Sequence, residues 1–380
     1  MKRKYIALSV ILIAIAVVMA FVSGYVSIRQ SSNVVINLDD GWTFNYNDEW
    51  LEASVPGSVH LDLMNVNAIP DPFYASNEDS VKWVANTVWS YKKHFDKSEL
   101  TDYENVELVF EGLDTYSEVF LNGVSLGKTD NMFVKWSFPI NVDKLKDVDN
   151  EIVVTFTPSR QIELEKSKKL GYDLPELFAF SRKAPYHDGW DWGPELTTVG
   201  IWQPVYFNAW NDFEVSDLQV YQSSLNDSLA KLDVQVRILS NKKLTAYVEC
   251  LIDNKVVATN ENVLLQDGIN NFTFNCDVEN PELWWPDGMG DQNLYNVEVK
   301  VKTKNYKDDI SRRIGLRTIE LSRKTDSIGA EFAFIVNGIP TFMKGANYIP
   351  PESFMPRMTD DRYRELIEDC KSANMNMIRV

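Results

Sequence analysis

Apolar and polar residues alternate one by one along most of this chain, and that period of two is the strongest constraint on its fold. The clearest run is VELVFEGLDTYSEVFLNGVSLGK, residues 106–128. Val106, Leu108 and Phe110 alternate with polar neighbours, and Val119 and Leu121 lead into Asn122-Gly123, a strong short-range hairpin signal. EIVVTFTP repeats the pattern, and PSRQIELEKSKKLGYDL interrupts it as a charged helical stretch ending near Gly171. Residues 33–212 therefore read as an antiparallel jelly-roll β-sandwich. Alternation resumes over residues 213–322, in AKLDVQVRIL, TAYVECLIDNKVVAT and LYNVEVKVKT. Evenly spaced strands over about a hundred residues predict an immunoglobulin-like sandwich there.

The pattern changes after Ser322. FAFIVNGIPTFMKGANYIPPESF predicts a hairpin at Asn337-Gly338 and a buried strand TFMKGAN. TDDRYRELIEDCKSANMN follows, with Thr359 as N-cap and Tyr363, Leu366, Ile367 and Cys370 on one face. MNMIRV is the next strand. Strand, helix, strand opens a parallel α/β unit. Residues 323–380 are thus expected to be the first β/α units of an incomplete TIM barrel, since a whole one needs roughly 250 residues. The fold class expected is mostly β, with three successive domains.

Composition excludes some partners. The 380 residues carry a net charge of −17. With no basic stripe, nucleic acid is not expected as a partner. At the N-terminus, Lys2-Arg3-Lys4 precedes an uncharged run from Tyr5 to Ile28. Residues 1–32 are read as a signal peptide or a single membrane-spanning anchor, and both readings stay open. Either one predicts an extracytoplasmic protein, secreted or membrane-anchored. Cys250, Cys276 and Cys370 are too few and too widely spaced for a disulfide framework. A Cys250–Cys276 bridge and buried free thiols both remain open, with free thiols favoured.

Motifs of general catalysis are sparse. GVSLG, residues 123–127, matches a nucleophile-elbow pattern but follows a hairpin turn, so it reads as structural. No phosphate-binding loop, dinucleotide fingerprint or metal-spaced histidine pair is present, and no cofactor or metal is expected. ELWWPDGMGDQNLY, residues 282–295, reads as an aromatic packing corner. PYHDGWDWGP, residues 185–194, is more informative. If extended, it places Trp190 and Trp192 on one face and Asp191 on the other. An indole stacks on the C–H face of a pyranose, and a carboxylate accepts from sugar hydroxyls. Trp202 follows in GIW. The residues alone leave a structural corner and a sugar-binding edge equally open.

LDDGWTF, VPGSVHLDLM, GLDTYSEVFLNG, YHDGWDWGP, GIWQPV, WWPDGMGDQNLY and FIVNGIPTFMKGANYIP, in this order, resemble the β-mannosidases of glycoside hydrolase family 2. The resemblance covers nearly everything after Asn33, with Asp188 standing where an aromatic is expected and Tyr348 where Trp is expected. It implies a jelly roll, an immunoglobulin-like domain and a catalytic barrel. It also implies exo-acting release of terminal non-reducing β-mannose from oligosaccharides by a retaining mechanism with two glutamates. No carboxylate of this chain can be carried over to either role, Glu195, Glu352 and Asp191 included, so the chain alone is expected to be inactive. By the same resemblance, Trp190, Asp191 and Trp202 line a terminal-mannose subsite, Asn347 and Tyr348 are weaker substrate-binding candidates, and Arg379 supports the nucleophile. Two other readings are a non-catalytic carbohydrate-binding module and a family-2 exo-glycosidase for another sugar.

Overall fold

A computed structural model describes residues 30–380. The segment expected to act as a signal or anchor lies outside the described residues, except its last positions. Gln30–Ser31 form a short strand paired in parallel with Tyr306–Lys307, so these residues join the second sandwich and not the jelly roll that follows them in the chain. Among the described residues no helix is long and apolar enough to cross a membrane.

The described chain forms two compact units. One comprises Val34–Trp210, Trp285–Gln292 and Thr318–Val380. Its six-stranded antiparallel sheet runs in the order Glu49–Ala53, Trp42–Tyr46, Trp89–Phe95, Asn150–Phe156, Ser117–Leu121, Val124–Thr129. A four-stranded sheet, Trp136–Pro139, Asn105–Phe110, Val205–Trp210, Asn33–Asn37, covers it. The alternation explains the sandwich directly. In Asn150–Phe156, residues 150, 152, 154 and 156 are buried and those between are not. Trp42 meets Phe110 across the sheets at 6.5 Å, and Phe95 meets Phe207 at 5.0 Å. Each such buried side chain contributes about 1.5–3 kcal/mol over exposure. Asn122 and Gly123, with φ 50° and 77°, form the expected hairpin turn, and Ser125 of the GVSLG run only hydrogen-bonds Glu118 on the neighbouring strand. The charged helix is present as Ser159–Ser167.

The same unit carries the C-terminal part. Ile319–Ser322 pairs with Ala333–Val336, which pairs with Ile339–Thr341 through the Asn337-Gly338 turn. Ile319–Ser322 therefore does not belong to the second sandwich, where the alternation alone had placed it. TFMKGAN is not one buried strand: Ile339–Thr341 and Gly345–Asn347 are separate, and the latter is exposed. Its one partner among the described residues is Met377–Arg379, in parallel. Helix Asp360–Ser372 connects the two strands. Thr359 accepts from the Arg362 N–H, and Asp360 and Asp361 complement the helix dipole.

The second unit contains Asn211–Trp284 and Asn293–Arg317. A three-stranded sheet, Phe213–Leu225, Leu229–Ser240, Gly268–Glu279, packs on a five-stranded one that includes Leu244–Ile252, Tyr295–Lys302 and Tyr306–Ile314. Val234, Val236, Val248, Val299 and Phe274 build its core. Cys250 and Cys276 meet there as free thiols, 3.9 Å apart.

The tryptophan corner divides between the units. In the second unit the Trp284 N–H donates to Leu316 O, and Arg317 stacks 4.7 Å over the indole. In the first, Trp285 packs on Gly290 and its N–H donates to Asp291 O.

Candidate functional site

The GWDWGP stretch is a hairpin rather than an extended segment. Asp188–Trp190 pairs with Gly193–Glu195, in the register Asp188 to Glu195 and Trp190 to Gly193. Asp191 and Trp192 form the turn, so the two indoles do not share a strand face as an extended segment would place them. The tip stands in solvent: Trp190 is 50% and Trp192 39% exposed, and Asp191 is exposed between them. Trp192 leans on Tyr186, ring centroids 5.6 Å apart. At the base, the Glu195 N–H donates to Glu78 at 2.7 Å, the Glu195 carboxylate pairs with Lys82 at 3.2 Å, and Asp188 accepts from the Thr197 hydroxyl at 2.9 Å. Glu195 is thereby committed to holding the hairpin.

A buried polar cluster underlies the turn that enters this hairpin. Lys183 donates to both oxygens of Asp114, at 2.5 and 2.6 Å, and to the Thr198 carbonyl at 2.7 Å. The Thr198 hydroxyl lies 2.6 Å from Asp114 and 3.1 Å from His187 Nδ1. Burial opposes ionisation of Asp114, but the Lys183 ammonium beside it and its hydrogen bonds hold the carboxyl below the usual range. Burial, reinforced by Lys183, lowers the pKa of His187 to about 3, so the ring is neutral. Its Nε2 carries the proton, because the partner 3.1 Å away is the Ser353 carbonyl, which only accepts. The neighbouring Phe354 is fully buried against His60 and Phe73. The jelly roll thus grips the segment that follows Tyr348. Glu352 in that segment faces Arg362 and Arg357 and accepts from the Phe354 N–H.

Asn347 and Arg379 are brought together: they are register partners, and Arg379 Nη1 donates to Asn347 Oδ1 at 3.0 Å. Arg379 is exposed and has no carboxylate within salt-bridge distance among the described residues. Trp202 donates through Nε1 to the Met132 carbonyl at 3.0 Å. It stands over Gly112, where a Cβ would come within 2.4 Å of the indole nitrogen. Trp202 lines an open apolar cavity of about 520 Å³ with Tyr186, Tyr348, Met355, Tyr363 and Ile378. Trp190 and Asp191 are not in that lining. The hairpin reaches it only through Trp192 and Tyr186.

Two family models match the chain. One, described as "Glycosyl hydrolase 2 galactose-binding domain-like", covers residues 42–203 and so contains the hairpin and Trp202. The other, "Glycosyl hydrolases family 2", covers residues 213–317. The chain belongs to glycosyl hydrolases family 2. Among family members it is 34% identical over 363 residues to beta-mannosidase B of Emericella nidulans, and 32% identical to the beta-mannosidase of Capra hircus. It spans about 42% of the length of each of these relatives and 90–91% of its own. The crystal structure of beta-D-mannosidase from Dictyoglomus thermophilum superposes with a TM-score of 0.87 at 37% identity, over 91% of this chain and 44% of that one. An exo-chitosanase of Amycolatopsis orientalis shares the fold, with a TM-score of 0.72 at 19% identity.

Within this family-2 chain, the sequence located the hairpin but not what anchors it. Asp114 and His187 lie inside GLDTYSEVFLNG and YHDGWDWGP, but no local pattern marks them or Lys183 and Thr198 as partners, and they meet across separations of up to 84 residues.

Proposed function

We propose that this chain is the substrate-gripping part of an extracytoplasmic, exo-acting β-mannosidase. It would release terminal non-reducing β-mannose from oligosaccharides by a retaining mechanism. The observation that carries this reading is the exposed carboxylate of Asp191 between two half-exposed indoles, in a chain whose relatives are named beta-mannosidases. The indoles offer stacking faces and the carboxylate accepts hydroxyl protons, which suits one terminal sugar. Arg379, held by Asn347, offers free N–H groups that suit a carboxylate nucleophile, completing the two-glutamate chemistry together with a barrel beyond the β/α unit described.

The reading is tested with a panel of nitrophenyl glycosides on the intact protein, beside residues 30–380 alone. Hydrolysis of the β-mannoside with retained anomeric configuration, absent from residues 30–380, is expected. Preference for another glycoside would replace the sugar, and turnover by residues 30–380 would overturn the division of labour.

A further inference from the structure

At the open end of the hairpin, away from its tip, lies a second cavity of about 170 Å³. It has room for roughly five or six waters, or for one sugar ring. Its floor is made by His60, Asp188 and Thr197, and its rim by Lys82, Arg160 and Glu195.

Polar groups of three lining residues are unpartnered among the described residues. Asp188 Oδ2 and His60 Nδ1 are buried without a hydrogen bond, His60 being only 1% exposed as a residue. The Arg160 side chain forms no hydrogen bond or ion pair with any described residue, and its charge acts only on Glu163 of the same helix among the described residues. A buried polar atom left alone is destabilising, and proteins that keep one generally fill the space beside it with water or ligand. Burial pushes the Asp188 carboxyl above its ordinary range. On the resemblance to β-mannosidases an aromatic is expected at position 188, and this chain has a carboxylate there.

The chemistry of the lining narrows the occupant. Lys82 and Glu195 close on each other at 3.2 Å. Among the titratable groups of the lining, that leaves one carboxylate, one guanidinium and one imidazole, beside the Asn86 amide and the Thr197 hydroxyl. Asp188 disfavours an anion and Arg160 disfavours a cation. A neutral ligand whose groups both donate and accept satisfies all three, and Val81 and Ala85 supply apolar wall for its C–H face. We propose that this cavity is a second saccharide site, which takes one neutral pyranose through Asp188, His60 and Arg160. Its occupant being a sugar rests on the glycosidase reading above, but the site is separate from the Asp191 tip.

Calorimetric titration with the methyl glycosides of mannose, glucose and galactose, and with phosphate as control, tests this on the intact protein. The tip is silenced by Asp191→Ala. At least one glycoside is expected to bind that variant saturably in the millimolar range, at about −4 kcal/mol. Adding Asp188→Phe, which restores the expected aromatic, should weaken binding about tenfold or more. Arg160→Met, on the exposed rim, should do the same and guards against a folding defect at position 188. Absence of saturable binding by all three glycosides, equal binding with and without Asp188→Phe and Arg160→Met, or binding of phosphate in their place would overturn the proposal. Hydrolysis of nitrophenyl β-mannoside is scored separately, so loss of this site and failure of the mannosidase reading are distinguishable.

Discussion

His187 donates through Nε2 to the carbonyl of Ser353 at 3.1 Å, across 166 residues of sequence. That bond ties the turn entering the tryptophan hairpin to the segment that follows Tyr348. The two parts share a compact unit, so a change at one is felt at the other.

The first prediction is acid sensitivity. In the folded protein burial lowers the pKa of His187 to about 3 and of His60 to about 4, from 6.5. Below pH 6.5 the unfolded chain takes up protons that these buried rings refuse, so stability falls as pH drops from 6.5 towards 3–4. Each ring contributes a slope of up to about 1.4 kcal/mol per pH unit. Asp62 acts oppositely: burial raises it to about 6, and its contribution is lost as pH rises from about 4 through 6. Between about pH 4 and 6 Asp62 therefore offsets one of the two rings, and below about pH 4, where Asp62 and His60 no longer vary, His187 alone continues the loss down to about pH 3. Thermal melting against pH measures this, and His187→Gln should flatten the acid limb. An unchanged limb would show that the histidines do not drive it.

The Asp114–Lys183 pair should be costly to break on one side. Lys183→Met leaves a buried carboxylate without its cation, and about 3–5 kcal/mol of stability should be lost. At about 2–4 °C per kcal/mol for a domain of this size, the melting temperature should fall roughly 6–20 °C. Lys183→Met with Asp114→Leu should recover part of that loss. A double variant no better than the single one would mean that packing, rather than the orphaned charge, sets the cost.

Asp191→Ala should separate binding from folding. Hydrogen bonds to a charged group contribute about 1.5–3 kcal/mol each, so kcat/KM on β-mannoside should fall roughly ten- to a hundredfold or more. Asp191 is exposed at a turn, and melting temperature should move by no more than a few degrees. Near-normal kcat/KM with a large fall in melting temperature would make this hairpin a structural corner only.

Gly112→Ala should act through Trp202. The new methyl group collides with the indole and breaks its hydrogen bond to Met132, so the tryptophan has to leave its place. A shift in tryptophan emission together with lowered kcat/KM is the expected pair of readings. Unchanged emission would show that the backbone yields instead.

Thiol reactivity should follow burial. Cys370 is partly exposed, while Cys250 and Cys276 are buried. A thiol reagent should label one cysteine quickly in the folded protein and three after denaturation. Only one after denaturation would mean that the buried pair is oxidised.

Features set by neighbours in the chain were legible in the sequence. Alternation in Asn150–Phe156 specifies which face is buried whatever the fold, because side chains on a strand change sides at every residue. Asn122-Gly123 and Asn337-Gly338 specify hairpins because both positions of such a turn need positive φ. Thr359 specifies a helix start because its side chain reaches an N–H three residues on. Tertiary structure alone decided that Asp191 stands at a turn instead of on a strand face, since that follows from which residue pairs with Trp190. It also decided that Lys183 meets Asp114, that His187 holds Ser353, and that Asp188 and His60 line one cavity. These contacts join residues far apart in sequence. Their existence depends on packing that buries polar groups together, and no local pattern encodes which distant partner will satisfy them.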